Sequence, residues 1–260
     1  MIRVALCGAL GRMGSEVART IAEQDDMTLS VALEAENHPN IGVKMGELEV
    51  VSDLRSRIEN ADVLVDFTNP DGAVDHVSIA SERSVPAVVG VTALRDEQME
   101  IIRRASEQIP IVYAPNMSVG VNLLFNLVSE AATILKDDFD FEIVEMHHRM
   151  KKDAPSGTAA KIADILSRVK EGSQQIYGRQ GLIGGRKPQE IGIHALRGGD
   201  VVGEHHVIFA GNGERLEISH KASSRRTFAS GVIKAVRFVI NREPGLFDMN
   251  DVLGLGSEAK

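Results

Sequence analysis

The chain has 260 residues, 43% of them hydrophobic and 25% charged, with a formal net charge of −8, one cysteine and no tryptophan. That length and apolar content suffice for one large domain or two modest ones, and a single cysteine excludes an internal disulfide framework. The negative balance and scarce aromatics argue against nucleic-acid binding. No basic leader precedes the first strand and no apolar run approaches membrane-spanning length, so a cytoplasmic protein without a nucleic-acid or membrane partner is expected.

The first element is the apolar strand IRVALC, followed at once by GALGRMG and then by EVARTIAEQ, where Val17, Ile21 and Ala22 recur at helical spacing. Strand, glycine turn and helix in that order are the setting in which Gly8, Gly11 and Gly14 form a relative of the dinucleotide fingerprint. Such glycines permit a tight turn and close backbone approach to a pyrophosphate. Twenty residues beyond Gly14 the strand TLSVALE ends in Glu34, where an acid binds a ribose diol. The expected cofactor contacts in this stretch are Gly8, Ala9, Leu10, Gly11, Arg12, Met13 and Glu34. Cys7, inside the strand, reads as a small buried hydrophobe.

Three further strands, VLVDF, PAVVG and PIVYA, alternate with helical patterns, as in a doubly wound parallel sheet. Ligands of such sheets lie at the carboxyl ends of strands. The turns there carry Asp66, Phe67 and Thr68, then Gly90, Val91 and Thr92, then Ala114, Pro115, Asn116 and Met117. Together they are expected to line the nicotinamide half of a cofactor site.

After a long helix through Leu124, Leu127, Val128 and Ala131 the pattern changes. FDFEIVEMHH, EIGIHALR, GEHHVIFAG and ERLEISHKA alternate with period two, which indicates a second domain with a mixed or antiparallel sheet. Within it, EMHHRMKKDAPSGT sets His147 and His148 before Arg149, Lys151 and Lys152. A metal site is disfavoured, because adjacent strand residues project to opposite faces and the cations repel an ion. A solvated basic turn is the bland alternative. Against it, Ser156, Gly157 and Thr158 open a helix whose free N–H groups and positive dipole end suit anions, directly behind the bases. The pattern suits carboxylates. Residues 170–189, glycine-rich and polar, are expected to form a mobile loop over the site or at a subunit contact. FASGVIKAVRFVINR is helical again and is expected to return to the nucleotide domain.

GALGRMG, Glu34, DFTNP, GVT, APNMSVGVN, EMHHRMKKDAPSGTA, GDVVGEH and ERLEISHKASSR together resemble the dihydrodipicolinate reductase family, also called 4-hydroxy-tetrahydrodipicolinate reductases, over nearly the whole chain. The resemblance implies a Rossmann-like dinucleotide domain, 1–117 completed by 228–260, and a substrate-binding and oligomerisation domain, 118–227, that assembles a homotetramer. It implies reduction of a small cyclic dicarboxylate in lysine and diaminopimelate synthesis, with NADH or NADPH. It further implies that His147 gives or takes a proton, that Lys151 is a second proton donor, and that His148, Gly157 and Thr158 bind the substrate carboxylates. Met150 stands where the family often has another histidine, which weakens any role for that third imidazole and leaves the other assignments intact. Two other functions share part of the pattern: a different two-domain nicotinamide-dependent oxidoreductase, which would not need the cationic helix start, and a non-catalytic nucleotide sensor.

Overall fold

The computed structural model describes residues 1–255. Residues 256–260, the end of the stretch expected to complete the dinucleotide domain, lie outside the described residues. The chain divides into two compact units, one of Met1–Val119 with the stretch from Arg225, the other of Gly120–Ser224.

The first unit begins with β1 (Ile2–Cys7), α1 (Arg12–Ala22), β2 (Met27–Leu33), β3 (Lys44–Met45) and β4 (Leu48–Val51). It continues with β5 (Val63–Asp66), α2 (Pro70–Glu82), β6 (Ala87–Val89), α3 (Asp96–Ser106) and β7 (Pro110–Tyr113). Then come α4 (Val119–Leu135), β8 (Asp140–His147), α5 (Gly157–Val169), β9 (Gln174–Tyr177), β10 (Glu190–Arg197), β11 (Gly203–Ala210) and β12 (Arg215–Ala222). The chain ends in the first unit with α6 (Arg226–Val239), β13 (Gly245–Phe247) and α7 (Met249–Leu253).

The first sheet runs β13-β7-β6-β5-β1-β2-β4-β3 and is parallel except for the β3–β4 hairpin. Its central strands are continuous apolar runs because both faces are covered. Val17 and Ile21 of α1 and Val232 and Val236 of α6 pack with Val4 and Leu6. Val77 of α2 and Ile102 of α3 pack on the other face with Ala5 and Leu64. Strand order reverses between β1 and β5, so their carboxyl ends open the crevice in which such sheets bind ligands.

The second sheet runs β12-β11-β8-β10-β9; β8, β10 and β9 are mutually parallel, while β11 lies antiparallel to β8 and β12. It is therefore a mixed sheet. Phe141, Ile143, Ile191, Val207 and Phe209 bury one face against Ile162 and Leu166 of α5 and Leu124 and Val128 of α4.

Two expectations require correction. Residues 170–189 are not simply a loop: Gln174–Tyr177 is strand β9, paired to β10. The following polar stretch is clamped, with Arg179 donating two hydrogen bonds of 2.9 Å to Glu142 and Arg186 donating one of 3.0 Å to the same carboxylate. Burial alone would raise the Glu142 carboxyl, but the Arg179, His194 and Arg186 hydrogen bonds hold it down to about 2. Second, Val119–Asp138 is 20 residues long and apolar enough, by length and composition alone, to cross a membrane. That overturns the expectation that no run approaches such length. Leu124, Val128 and Ala132 of this segment are buried in the second unit's core, while Leu123, Leu127 and Ile134 are exposed.

Phe141 is fully buried, meets Phe209 edge to face at 5.2 Å, and carries the Lys170 ammonium 4.5 Å from its ring centroid. Phe141→Ala is expected to destabilise the second unit by about 3–5 kcal/mol, through lost transfer energy and an unfilled cavity. Urea unfolding checks this; a loss under about 1 kcal/mol would contradict the packing account.

Candidate active site

The glycine turn leaves β1 at Gly8, whose φ of +77° is a conformation that side chains disfavour. Gly14, in the first turn of α1, packs so tightly on it that a Cβ there would sit 1.9 Å from the Gly8 carbonyl oxygen. Gly11 is the N-cap of α1, and no side chain caps the helix. The positive end of α1 is thus presented by backbone alone, the arrangement a pyrophosphate fits. Glu34 reaches this turn: its Oε1 accepts from Leu10 N at 2.7 Å. The acid read as a ribose ligand and the glycine turn therefore meet.

Beside the turn lies a cavity of about 520 Å³. Of the expected cofactor residues, Arg12, Met13, Gly90, Val91, Thr92, Pro115, Asn116 and Met117 line it, with Phe67 and Thr68. Gly8, Ala9, Leu10, Gly11, Glu34 and Ala114 do not. Sequence reasoning missed three lining residues, Asn69, Pro70 and Phe228. Asn69 and Pro70 carry a signal of their own, a cap followed by proline: Asn69 Oδ1 accepts from Gly72 N at 3.0 Å and Pro70 opens α2. Phe228 joins from α6, far off in sequence, and nothing local marks it.

Under the turn, Cys7, Asp66 and His76 bring their polar atoms within 4.8 Å of one another. Hydrogen bonds occupy both Asp66 oxygens: Thr68 N and Oγ1 donate to one at 2.8 and 2.6 Å, and His76 Nδ1 lies 2.6 Å from the other. Burial, with Asp66 and Glu34 nearby, pushes the Cys7 thiol well up, so it stays protonated and inert.

In the second unit β8 delivers His147 at its last position, and the loop after it carries His148 and Lys151 to the start of α5. Glu145, fully buried, organises this end of the sheet. Its Oε2 lies 2.6 Å from His147 Nδ1, Arg197 donates to its two oxygens at 2.8 and 2.9 Å, and Ser156 N donates at 3.0 Å. Burial alone would raise this carboxyl; Arg197, His147 and Ser156 hold it below the usual range. The His147 imidazole is lowered, chiefly by burial, with Glu145 opposing and Lys151 and Arg197 adding to the fall. Ser156 caps α5, accepting from Ala159 N at 3.2 Å, and its Oγ lies 3.0 Å from Nε2 of buried His205. Burial, and after it His147, drive His205 down to about 3. Lys151 pairs with Asp153 at 2.9 Å. Gly157 and Thr158 form the first turn of α5, Gly157 exposed and Thr158 half-buried; His148 is half-buried one residue past β8.

The structure thus joins His147 to the α5 N-terminus through Glu145, and it adds Glu145, Arg197 and His205, which sequence reasoning did not select. Glu145 was legible. Phe141, Ile143, Glu145 and His147 share one face by period two, so this acid points inward. Arg197 and His205 come from β10 and β11, opposite His147 and Glu145 respectively, and only sheet register reveals them.

A doubly wound sheet with a glycine turn at an uncapped helix end and an acid at the second strand end, joined in one chain to a unit with a base-rich helix start, is the constitution of a nicotinamide-dependent oxidoreductase. Models of the dihydrodipicolinate reductase family match both halves, the N-terminal one over residues 2–117 and the C-terminal one over residues 120–253. The chain is 47% identical to the 4-hydroxy-tetrahydrodipicolinate reductase of Nitrosomonas europaea, with 98% of each covered, and 45% identical to that of Methanocaldococcus jannaschii, again with 98% of each covered. A dipicolinate-bound dihydrodipicolinate reductase from Paenisporosarcina sp. TG-14 superposes with a TM-score of 0.78 at 28% identity, covering 95% of this chain and 97% of the other. The chain belongs to the dihydrodipicolinate reductase family and is an NAD(P)H-dependent oxidoreductase.

The contact of Gly14 with Gly8 generates a test. Gly14→Ala is expected to weaken NADH and NADPH binding roughly 10-fold or more, by forcing α1 off the turn that a pyrophosphate would fit. Titration of nicotinamide fluorescence measures it; unchanged affinity for both cofactors would show that the cradle is elsewhere.

Proposed function

We propose that the chain reduces 4-hydroxy-tetrahydrodipicolinate to tetrahydrodipicolinate, with loss of water, in lysine and diaminopimelate synthesis. Bound NADH or NADPH supplies the hydride, two electrons with one hydrogen nucleus; one proton must also reach the substrate. The observation that carries the reading is the coupling of His147, through Glu145 and the Ser156 N–H, to the start of α5. A proton-transfer group and an anion-binding helix end are there held by one carboxylate.

The chain's own residues then divide the work. The α5 N-terminus with Gly157 and Thr158, together with His148, binds the substrate carboxylates. Lys151 and His147 face the ring, the first as a cation and second proton donor, the second as the group that gives or takes the proton. In the free site burial and, less strongly, the neighbouring cations lower the affinity of His147 for a proton, against the pull of Glu145. A doubly anionic substrate brings the opposite influence: negative charge beside the imidazole raises its affinity for a proton. The arriving substrate thereby favours the protonated form of His147. The dipicolinate bound to the Paenisporosarcina relative supports a cyclic dicarboxylate as the class of ligand.

The half-buried Val144 and Met146, with exposed Leu196, lie on the sheet face opposite α5, and support a homotetramer built through the second unit. The packing of Leu124 and Val128 into the second unit's core supports reading α4 as part of a cytoplasmic globular enzyme, and the charge of −8 supports the absence of a nucleic-acid partner.

His147→Gln and Lys151→Ala are each expected to depress turnover by roughly 10²-fold or more, with cofactor affinity unchanged. Pyridine-2,6-dicarboxylate is expected to compete with substrate, less well at high salt because attraction between charges is screened. Steady-state kinetics decide it; near-normal turnover in both variants, or no competition at any ionic strength, counts against the site.

Cofactor choice follows from Glu34 and its surroundings. Its carboxylate accepts hydrogen bonds from a ribose diol and repels a 2′-phosphate, and exposed Ala35 follows it where an arginine would compensate. Arg12, on the cavity wall, is the cation left to grip a phosphate. NADH is therefore expected to serve at least as well as NADPH. Ala35→Arg should move the ratio of kcat/KM values toward NADPH, and Arg12→Ala should harm NADPH more than NADH. A strong NADPH preference untouched by either substitution would show that the phosphate is read elsewhere.

A further inference from the structure

We propose that Glu145 is a positioning residue, which holds His147 as the Nδ1–H tautomer and leaves Nε2 as the nitrogen that exchanges a proton with substrate. The proposal rests on the reading of His147 as the proton-transfer group. A carboxylate has no proton to donate, so the 2.6 Å contact between Glu145 Oε2 and His147 Nδ1 requires the hydrogen to sit on Nδ1. The other nitrogen is then an acceptor in the neutral ring and a donor in the charged one.

Glu145 can impose an orientation because it has none to choose. Arg197 grips both its oxygens, and the Ser156 N–H fixes Oε1. Arg197 is itself tied down, donating from Nη2 to the Asp153 carbonyl at 2.6 Å. Surrounding groups agree with this assignment. Lys151 from the loop and Arg197 from β10 are cations and offer no acceptor to either ring nitrogen. His205 from β11 meets the ring edge to face, at 5.3 Å between centroids and 74° between planes, so it packs against the imidazole. Gly203, at the start of β11, supplies clearance at the working atom: a Cβ there would come within 3.0 Å of His147 Nε2. Thus one nitrogen is locked to a buried anion, while the other is approached by a residue with no side chain.

Glu145 remains an anion while it does this. Arg197, His147 and Ser156 outweigh its burial, so it is not the proton source. When His147 takes up a proton on Nε2, Glu145 stabilises the imidazolium; when Nε2–H gives the proton up, the ring returns to the same tautomer without rotating. Glu145→Gln breaks that cycle. The amide keeps the shape but can present an N–H to Nδ1, which favours the Nε2–H tautomer and removes the anion.

The test has two arms. In the wild-type enzyme, nitrogen NMR of the His147 ring, assigned against His147→Gln, is expected to show neutral imidazole protonated at Nδ1; a neutral ring protonated at Nε2 overturns the proposal, and this arm needs no folded Glu145 variant. In the second arm, Glu145→Gln is expected to lose roughly 10²-fold in kcat with the cofactor KM unchanged, and the alkaline limb of its kcat/KM profile should move to lower pH, since the anion that supports the imidazolium is gone. In the His147→Gln background the same substitution should change kcat by less than about 2-fold, the non-additivity of residues acting as one unit. Full additivity would make Glu145 merely a structural anchor for Arg197 and α5, and would overturn the proposal while leaving the role of His147 intact. Normal turnover of His147→Gln alone would instead overturn that role, and the proposal with it.

Discussion

The second unit depends on one constraint: a carboxylate taken wholly out of water must be matched by donors on every side. Glu145 is fully buried, and an isolated charge in that position would cost several kcal/mol or simply protonate. Instead it receives Arg197, Ser156 N–H and His147, drawn from β10, the start of α5 and its own strand. Each of those elements is therefore placed by the same charge. The register of β10 on β8, which sets Arg197 opposite His147, lets the guanidinium reach Glu145 one pleat away. Losing one partner would leave the others facing an uncompensated anion, so the network holds or fails together.

The first unit solves its problem with backbone. The Gly8 turn and the uncapped end of α1, read as its anion cradle, present backbone alone, and what matters there is the lack of side chains. Such a site is legible in sequence, because glycines at fixed spacing between an apolar strand and an amphipathic helix are local information. The same holds for the turns after β5, β6 and β7, whose residues line the cavity. Phe228 does not share this legibility. It reaches the cavity wall from α6 after more than a hundred intervening residues, and no local pattern records where a returning helix will pack.

In the second unit legibility was partial for a different reason. Reading FDFEIVEM as apolar and acidic alternation assigns every acid to the solvent side, which suits Glu142 but not Glu145. The adjacent pair Ile143 and Val144 shifts the phase, so Glu142 stays with Val144 and Met146 while Glu145 joins Phe141, Ile143 and His147. The period was available; the inversion needed to be counted. The arginines that hold Glu142 also explain why residues 170–189 resemble a loop in composition. A segment fixed by charge pairing rather than by apolar burial has no hydrophobic signature, and only its partners across the sheet show that Arg179 and Arg186 fasten it down.

The site's cations are not equivalent, and their acid partners show how an overall negative protein can receive a dianion. Arg197 is committed twice to a buried carboxylate, so separating it would strand Glu145 in a dry environment. Lys151 pairs instead with Asp153, whose side chain is 61% exposed and can be resolvated if the pair parts. Fully exposed pairs contribute only ~0–1 kcal/mol, and here the acid, though not Lys151, is exposed. On the proposed reading an arriving carboxylate takes Lys151 from Asp153 at little cost, while Arg197 and Glu145 keep the histidine in place. On the proposed reading the buried pair supplies orientation and the exposed pair supplies exchangeable charge. The division follows from solvent access alone: both pairs are acid with base, and only the one still in contact with water can change partners during a catalytic cycle.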